Sequence, residues 1–170
     1  PTLLRVPGGF LTPPPAIAPE LRAVGRAVWD AWWPSAYEPW NREVAAAYLA
    51  HVGNHMAHAR LFLAREPGPT VILVHGYGAG HFGVEERLWP VQALLRRGWS
   101  VALTTLPFHG RRAPPGRALT PPFPGADPRL ANEGFRQAIH DLQGLHAWLR
   151  GRGYGPIGAW GMSLGGYTTS

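Results

Sequence analysis

The chain has 170 residues, a net charge of +6 and no cysteine, with 45% hydrophobic and 15% charged residues. That length allows one domain, and that apolar content, with eight Trp, excludes disorder throughout. The missing cysteines exclude disulfides and thiolate metal sites and fit a reducing, cytoplasmic setting.

Residues 1–19 include Pro13, Pro14 and Pro15 and read as an extended arm. From Glu20 onward, Leu21, Val24, Val28 and Trp32 fall at helical spacing and Pro34 ends the run, which predicts a helix. A second helix is expected from about Asn41, with Val44, Ala47, Tyr48 and His51 on one face. MAHARLFLARE then reads as a strand, closed by Pro67-Gly68-Pro69. Residues 1–65 thus read as a first region: an arm, a helical extension and a first strand.

Residues 66–170 are more regular. TVILVHG is a short, β-branched run of the kind buried on both sheet faces. Leu88, Val91, Leu94 and Leu95 mark a helix that Gly98 stops, and WSVALTTLPFHG reads as a second buried strand. A loop rich in Pro and Gly follows, from about Gly110 to Pro128. Phe135, Ala138, Ile139, Leu142, Leu145 and Leu149 mark a long helix, and PIGAWGMS is the last strand. This alternation predicts an α/β fold: a three-layer sandwich around a mostly parallel sheet.

The last strand runs into GMSLG, a G-x-S-x-G pentapeptide with Ser163 at its centre. Such a turn needs Gly161 and Gly165, because side chains there would collide with the strand and helix that it joins. It pushes the serine hydroxyl into the cleft at a helix N-terminus and aims the Leu164 amide at a developing oxyanion. A second donor must come from another loop. HGYGAG supplies it: His75-Gly76 ends a buried strand, the Tyr77 amide can face the cleft, and Gly78 and Gly80 keep the loop close.

With these motifs in this order, Val71 to Ser170 resembles the α/β-hydrolase superfamily. The PFHGRR loop is further similar to a branch of that superfamily with an N-terminal helical extension. The resemblance implies a serine hydrolase that acts on a small-molecule ester, thioester or amide and needs no cofactor. Ser163 would form the acyl-enzyme, and the Tyr77 and Leu164 amides would hold the oxyanion. It also implies a later acid and a later histidine, whereas only LGGYTTS follows Ser163. The chain is therefore expected to carry the N-terminal half of a larger hydrolase domain, truncated after the elbow and inactive alone. An edge strand left open beside the elbow would then make it prone to associate; the sequence leaves its oligomeric state open. Among upstream histidines, His75 is expected to brace its own loop and His109 to shape the cleft beside Arg111 and Arg112. A rearranged triad of His109 with Asp127 or Glu133 is the weaker reading.

Other readings fail on single residues. GAGHFG matches a dinucleotide-binding glycine pattern, but the next strand carries no acid. A phosphate-binding P-loop needs a Lys, and the chain has none. The scattered Arg residues make a solvated surface rather than a nucleic-acid stripe. The purest apolar run, VILV, is far too short for a membrane span. His51, His55 and His58 share a helical spacing suited to zinc, but Gly53 and Asn54 should break that helix, and no metal is expected. Two function classes remain: a serine hydrolase, or a non-catalytic interaction module built on a hydrolase-like half-fold.

Overall fold

The computed structural model describes Leu11 and residues 13–170; most of the predicted N-terminal arm lies outside the described residues. The first predicted helix is instead a hairpin of β1 (Glu20–Gly25) and β2 (Val28–Pro34), turned at Arg26 and Ala27. Ala27 takes the left-handed φ of 58° that such tight turns require. The correction has a plain physical cause. Leu21 and Val24, half of the helical pattern, are exposed, while the side chains of β2 alternate between the two sides of the sheet. Trp29, Ala31 and Trp33 face one core, and Val28 faces the other. Asp30, on the Val28 face, is buried against the Arg60 guanidinium, Nε to Oδ1 2.7 Å. Burial opposes its charge, but the bonds from Arg60 and Arg22 hold its carboxyl below the ordinary value.

β3 (Met56–Phe62) pairs antiparallel with β2 and with β5 (Ser100–Thr104). β4 (Thr70–Val74) lies parallel between β5 and β6 (Ile157–Gly161). The six strands form a single sheet in the order β1-β2-β3-β5-β4-β6. The sheet is therefore mixed rather than mostly parallel. Parallel pairing is confined to β5-β4-β6, where helices provide the crossovers; the first three strands connect antiparallel.

Helices cover both faces. α1 (Arg42–Leu49) starts as expected at Asn41, whose side chain accepts from the Glu43 amide at 3.0 Å. The helix expected around Leu88–Leu95 is two, α2 (Phe82–Leu88) and α3 (Val91–Arg96), because Pro90 cannot continue the first. α4 (Pro128–Gly151) is capped by Asp127, which accepts from the Arg129 amide at 2.9 Å. α5 (Leu164–Thr169) follows β6 directly. Alternate residues of β4 serve the two cores: Ile72 and Val74 meet Leu145, Leu149 and Leu164, whereas Val71 and Leu73 meet Phe82, Trp89 and Val91. β4 and β5 are buried along their whole length, but the middle of β6 is exposed.

Candidate active site

β4 and β6 end side by side, with Val74 opposite Gly161, so the two motif loops leave the same sheet edge together. The Met162 amide donates to the Val74 carbonyl at 3.0 Å, carrying the pairing one residue into the turn. Ser163 then takes φ 52° and ψ −115°, a strained backbone for a residue with a Cβ. The glycines on either side explain how the turn closes. A Cβ on Gly161 would overlap the Gly165 carbonyl, and one on Gly165 would overlap the Val74 carbonyl. The close approach of β4, β6 and α5 thus needs glycine at both positions, as the pentapeptide predicts. Ser163 is exposed, and its hydroxyl does not cap α5.

The HGYGAG loop abuts this turn. A Cβ on Gly76 would lie 3.4 Å from both the Ser163 Cβ and the Met162 carbonyl oxygen. Neither the Tyr77 amide nor the Leu164 amide has a hydrogen-bond acceptor among the described residues. The Tyr77 phenol donates to the Pro121 carbonyl at 3.0 Å and ties the loop to the Pro-rich segment after β5. A cleft of about 480 Å3 opens beside Ser163, lined by Leu88, Trp89, Pro90, Trp160 and Met162.

His109, expected to shape the cleft, and His75, expected to brace its own loop, are both essentially fully buried and do not line the cleft. His75 Nε2 accepts from the Leu106 amide at 3.0 Å, and Nδ1 faces the Gly76 carbonyl at 2.7 Å. His109 Nδ1 faces the Pro107 carbonyl at 2.8 Å, and its Nε2 is buried without a partner among the described residues. The rings are 5.1 Å apart, centre to centre. Burial holds both imidazoles neutral, pushed down to about 4. The rearranged triad does not form. Asp127 caps α4 and pairs with Arg129, while Glu133 accepts the Tyr37 phenol and the Trp40 and Asn41 amides.

Several polar residues that brace the site carry no local sequence signal. Glu85, buried, accepts from the Gly80 amide at 3.0 Å and the Trp89 indole at 2.8 Å. Arg112, also buried, donates to Asp141 at 2.8 Å, to the Thr105 carbonyl at 3.1 Å and to the Asn54 carbonyl at 3.0 Å. Asn54 Oδ1 accepts from the Phe108 amide at 2.7 Å, and Ser35 donates to Asp141 at 2.5 Å. This network clamps the Leu106–Arg112 loop that supports both histidines. Asp141 and Asn54 lie so far from Arg112 in the chain that no spacing links them; only buried charge in the fold exposes such partners.

His51 precedes and His55 ends one short 3-10 turn, Val52–His55, and His58 lies in β3, so the three do not share a helix. No group of three His, Cys, Asp or Glu among the described residues is placed to hold a metal. No helix among the described residues is long and apolar enough to cross a membrane.

No protein-family profile matches the chain. An uncharacterized protein in each of two Mycobacterium tuberculosis strains, CDC 1551 and H37Rv, is 31% identical over 176 residues. The match covers 98% of this chain and 42% of that protein, so the chain spans about two fifths of the length of the curated relatives it matches. Among solved structures, a Bacteroides fragilis protein assigned as an acetyl xylan esterase superposes with a TM-score of 0.59 at 15% identity. It covers 93% of this chain and 44% of that one. A cold-adapted esterase from an Arctic intertidal metagenomic library gives a TM-score of 0.52 at 22% identity, covering 89% and 56%. The fold of this chain is thus similar to that of esterases: a mixed sheet covered by helices.

Proposed function

We propose that the chain carries the nucleophile and oxyanion site of a serine hydrolase acting on an ester, thioester or amide. One observation carries the reading: Ser163 sits exposed on a strained strand-to-helix turn, packed against a second loop, with the Tyr77 and Leu164 amides both unspent. In this reading the Ser163 oxygen attacks the acyl carbon and the carbonyl oxygen becomes an oxyanion held by those two amides. The serine proton passes to a histidine and from it to the leaving group, which gives an acyl-enzyme; water attacks next, with the same base, and restores Ser163. His75 and His109 are both buried, and in this reading the base and its acid come from the rest of a longer protein. The length of the curated relatives supports that assignment.

One observation favours the second reading, a non-catalytic module: the Ser163 hydroxyl has no hydrogen bond to a histidine among the described residues. Hydrolysis of a p-nitrophenyl ester by the full-length native protein decides between them. The hydrolase reading expects Ser163→Ala to lower turnover by roughly four orders of magnitude or more. Turnover that survives the substitution, or is absent from the wild type, favours the module.

A further inference from the structure

We propose that His75 is a positioning residue that sets the direction of the Tyr77 amide, an inference that rests on the serine-hydrolase reading of Ser163. The argument starts from the tautomer. Nε2 accepts the Leu106 N–H at 3.0 Å, so it carries no proton. The single proton of the neutral ring is then on Nδ1, which donates to the Gly76 carbonyl oxygen at 2.7 Å. That oxygen also accepts the Ala79 N–H, at 3.4 Å. The Gly76 carbonyl and the Tyr77 N–H belong to one planar trans peptide and point in opposite directions. A carbonyl drawn into the fold by a buried imidazole therefore turns the Tyr77 N–H the other way. Gly76 itself sits against the Ser163 turn, where a Cβ would lie 3.4 Å from the Ser163 Cβ.

The imidazole is itself fixed on several sides. Gly80 crosses it with φ 97°, and a Cβ there would come within 2.6 Å of Nε2. Glu85 anchors the Gly80 amide and is anchored in turn by the Trp89 indole. The Leu106 amide comes from the chain just after β5, and Arg112 holds that segment through the Thr105 carbonyl. His75 thus links the end of β5 to the peptide that presents the oxyanion donor. The link uses both ring nitrogens, and each has a different job.

That division of labour makes the role testable in the full-length native protein. His75→Asn keeps a donor near the Nδ1 position and loses the acceptor; His75→Gln keeps an acceptor near Nε2 and loses the donor. The positioning role predicts that His75→Gln lowers kcat by roughly 10- to 100-fold with KM little changed. His75→Asn should stay within about tenfold of wild type, at similar thermal stability of the two variants. A ring that only fills space gives equal losses in both, tracking stability, and overturns the proposal. Wild-type imidazole 15N spectra supply a readout independent of activity and of whether the variants fold. A protonated Nδ1 with an acceptor Nε2 supports the role, and the opposite tautomer overturns it. Wild type without Ser163-dependent hydrolysis overturns the hydrolase reading and this proposal together. Ser163-dependent hydrolysis with equal His75→Asn and His75→Gln kinetics overturns the positioning role alone.

Discussion

The two sides of the candidate site are built differently. On the β4 side, the strand is buried throughout, His75 is bonded at both ring nitrogens, and Glu85 and Arg112 hold the surrounding loops from within. On the β6 side, the turn is fixed by close backbone contact through Gly161 and Gly165, while Ala159, Trp160, Met162 and Ser163 remain exposed. The β4 side therefore owes its geometry to buried polar bonds, and the β6 side owes its geometry to steric necessity. Changes to polar groups should disturb the first and leave the second nearly untouched.

The largest effect that would sharpen this contrast is expected from Arg112→Ala. It leaves Asp141 buried without its guanidinium and strips donors from two carbonyls, and should cost about 3–5 kcal/mol in urea unfolding. Acid comes next. His75 and His109 are pushed down to about 4 by burial, whereas an unfolded histidine titrates near 6.5. Between those values the unfolded chain binds more protons, so the contribution of these two rings to stability should fall as pH drops from 6.5 to 4 and level off below. The slope should be up to roughly 1.4 kcal/mol per pH unit for each buried ring, and His75→Asn should flatten it. Glu85→Ala leaves the Gly80 amide and the Trp89 indole unsatisfied and should cost about 1–3 kcal/mol. Trp160→Ser, on the exposed strand, should change stability of this chain by less than about 1 kcal/mol. A Trp160 effect as large as that of Arg112 would break the contrast.

The same contrast explains what the sequence discloses. The elbow and the HGYGAG loop are readable because steric need forces glycine at fixed spacings, and β4, β5 and α4 are readable because burial forces unbroken or periodic apolar runs. Residues 20–34 misled because Leu21, Val24, Val28 and Trp32 fall at helical spacing by composition, while the alternation that matters runs through Trp29, Ala31 and Trp33. The mixed sheet was hidden for the same reason: with β1 and β2 read as a helix, β3 was the one strand of the antiparallel half left to read. The bracing roles of Arg112, Asp141 and Asn54 stayed invisible because their partners are set by the fold, not by neighbouring positions. Even His109, found as a motif residue, was placed at the cleft when it lies buried behind Tyr77.

The central claim is that Ser163 is a nucleophile, and active-site labelling tests it most directly. The full-length native protein is treated with a fluorophosphonate and the modified peptide is located by mass spectrometry. The account predicts one adduct, on Ser163, that is lost in Ser163→Ala and slowed in His75→Gln. No adduct, or an adduct that persists in Ser163→Ala, would contradict it.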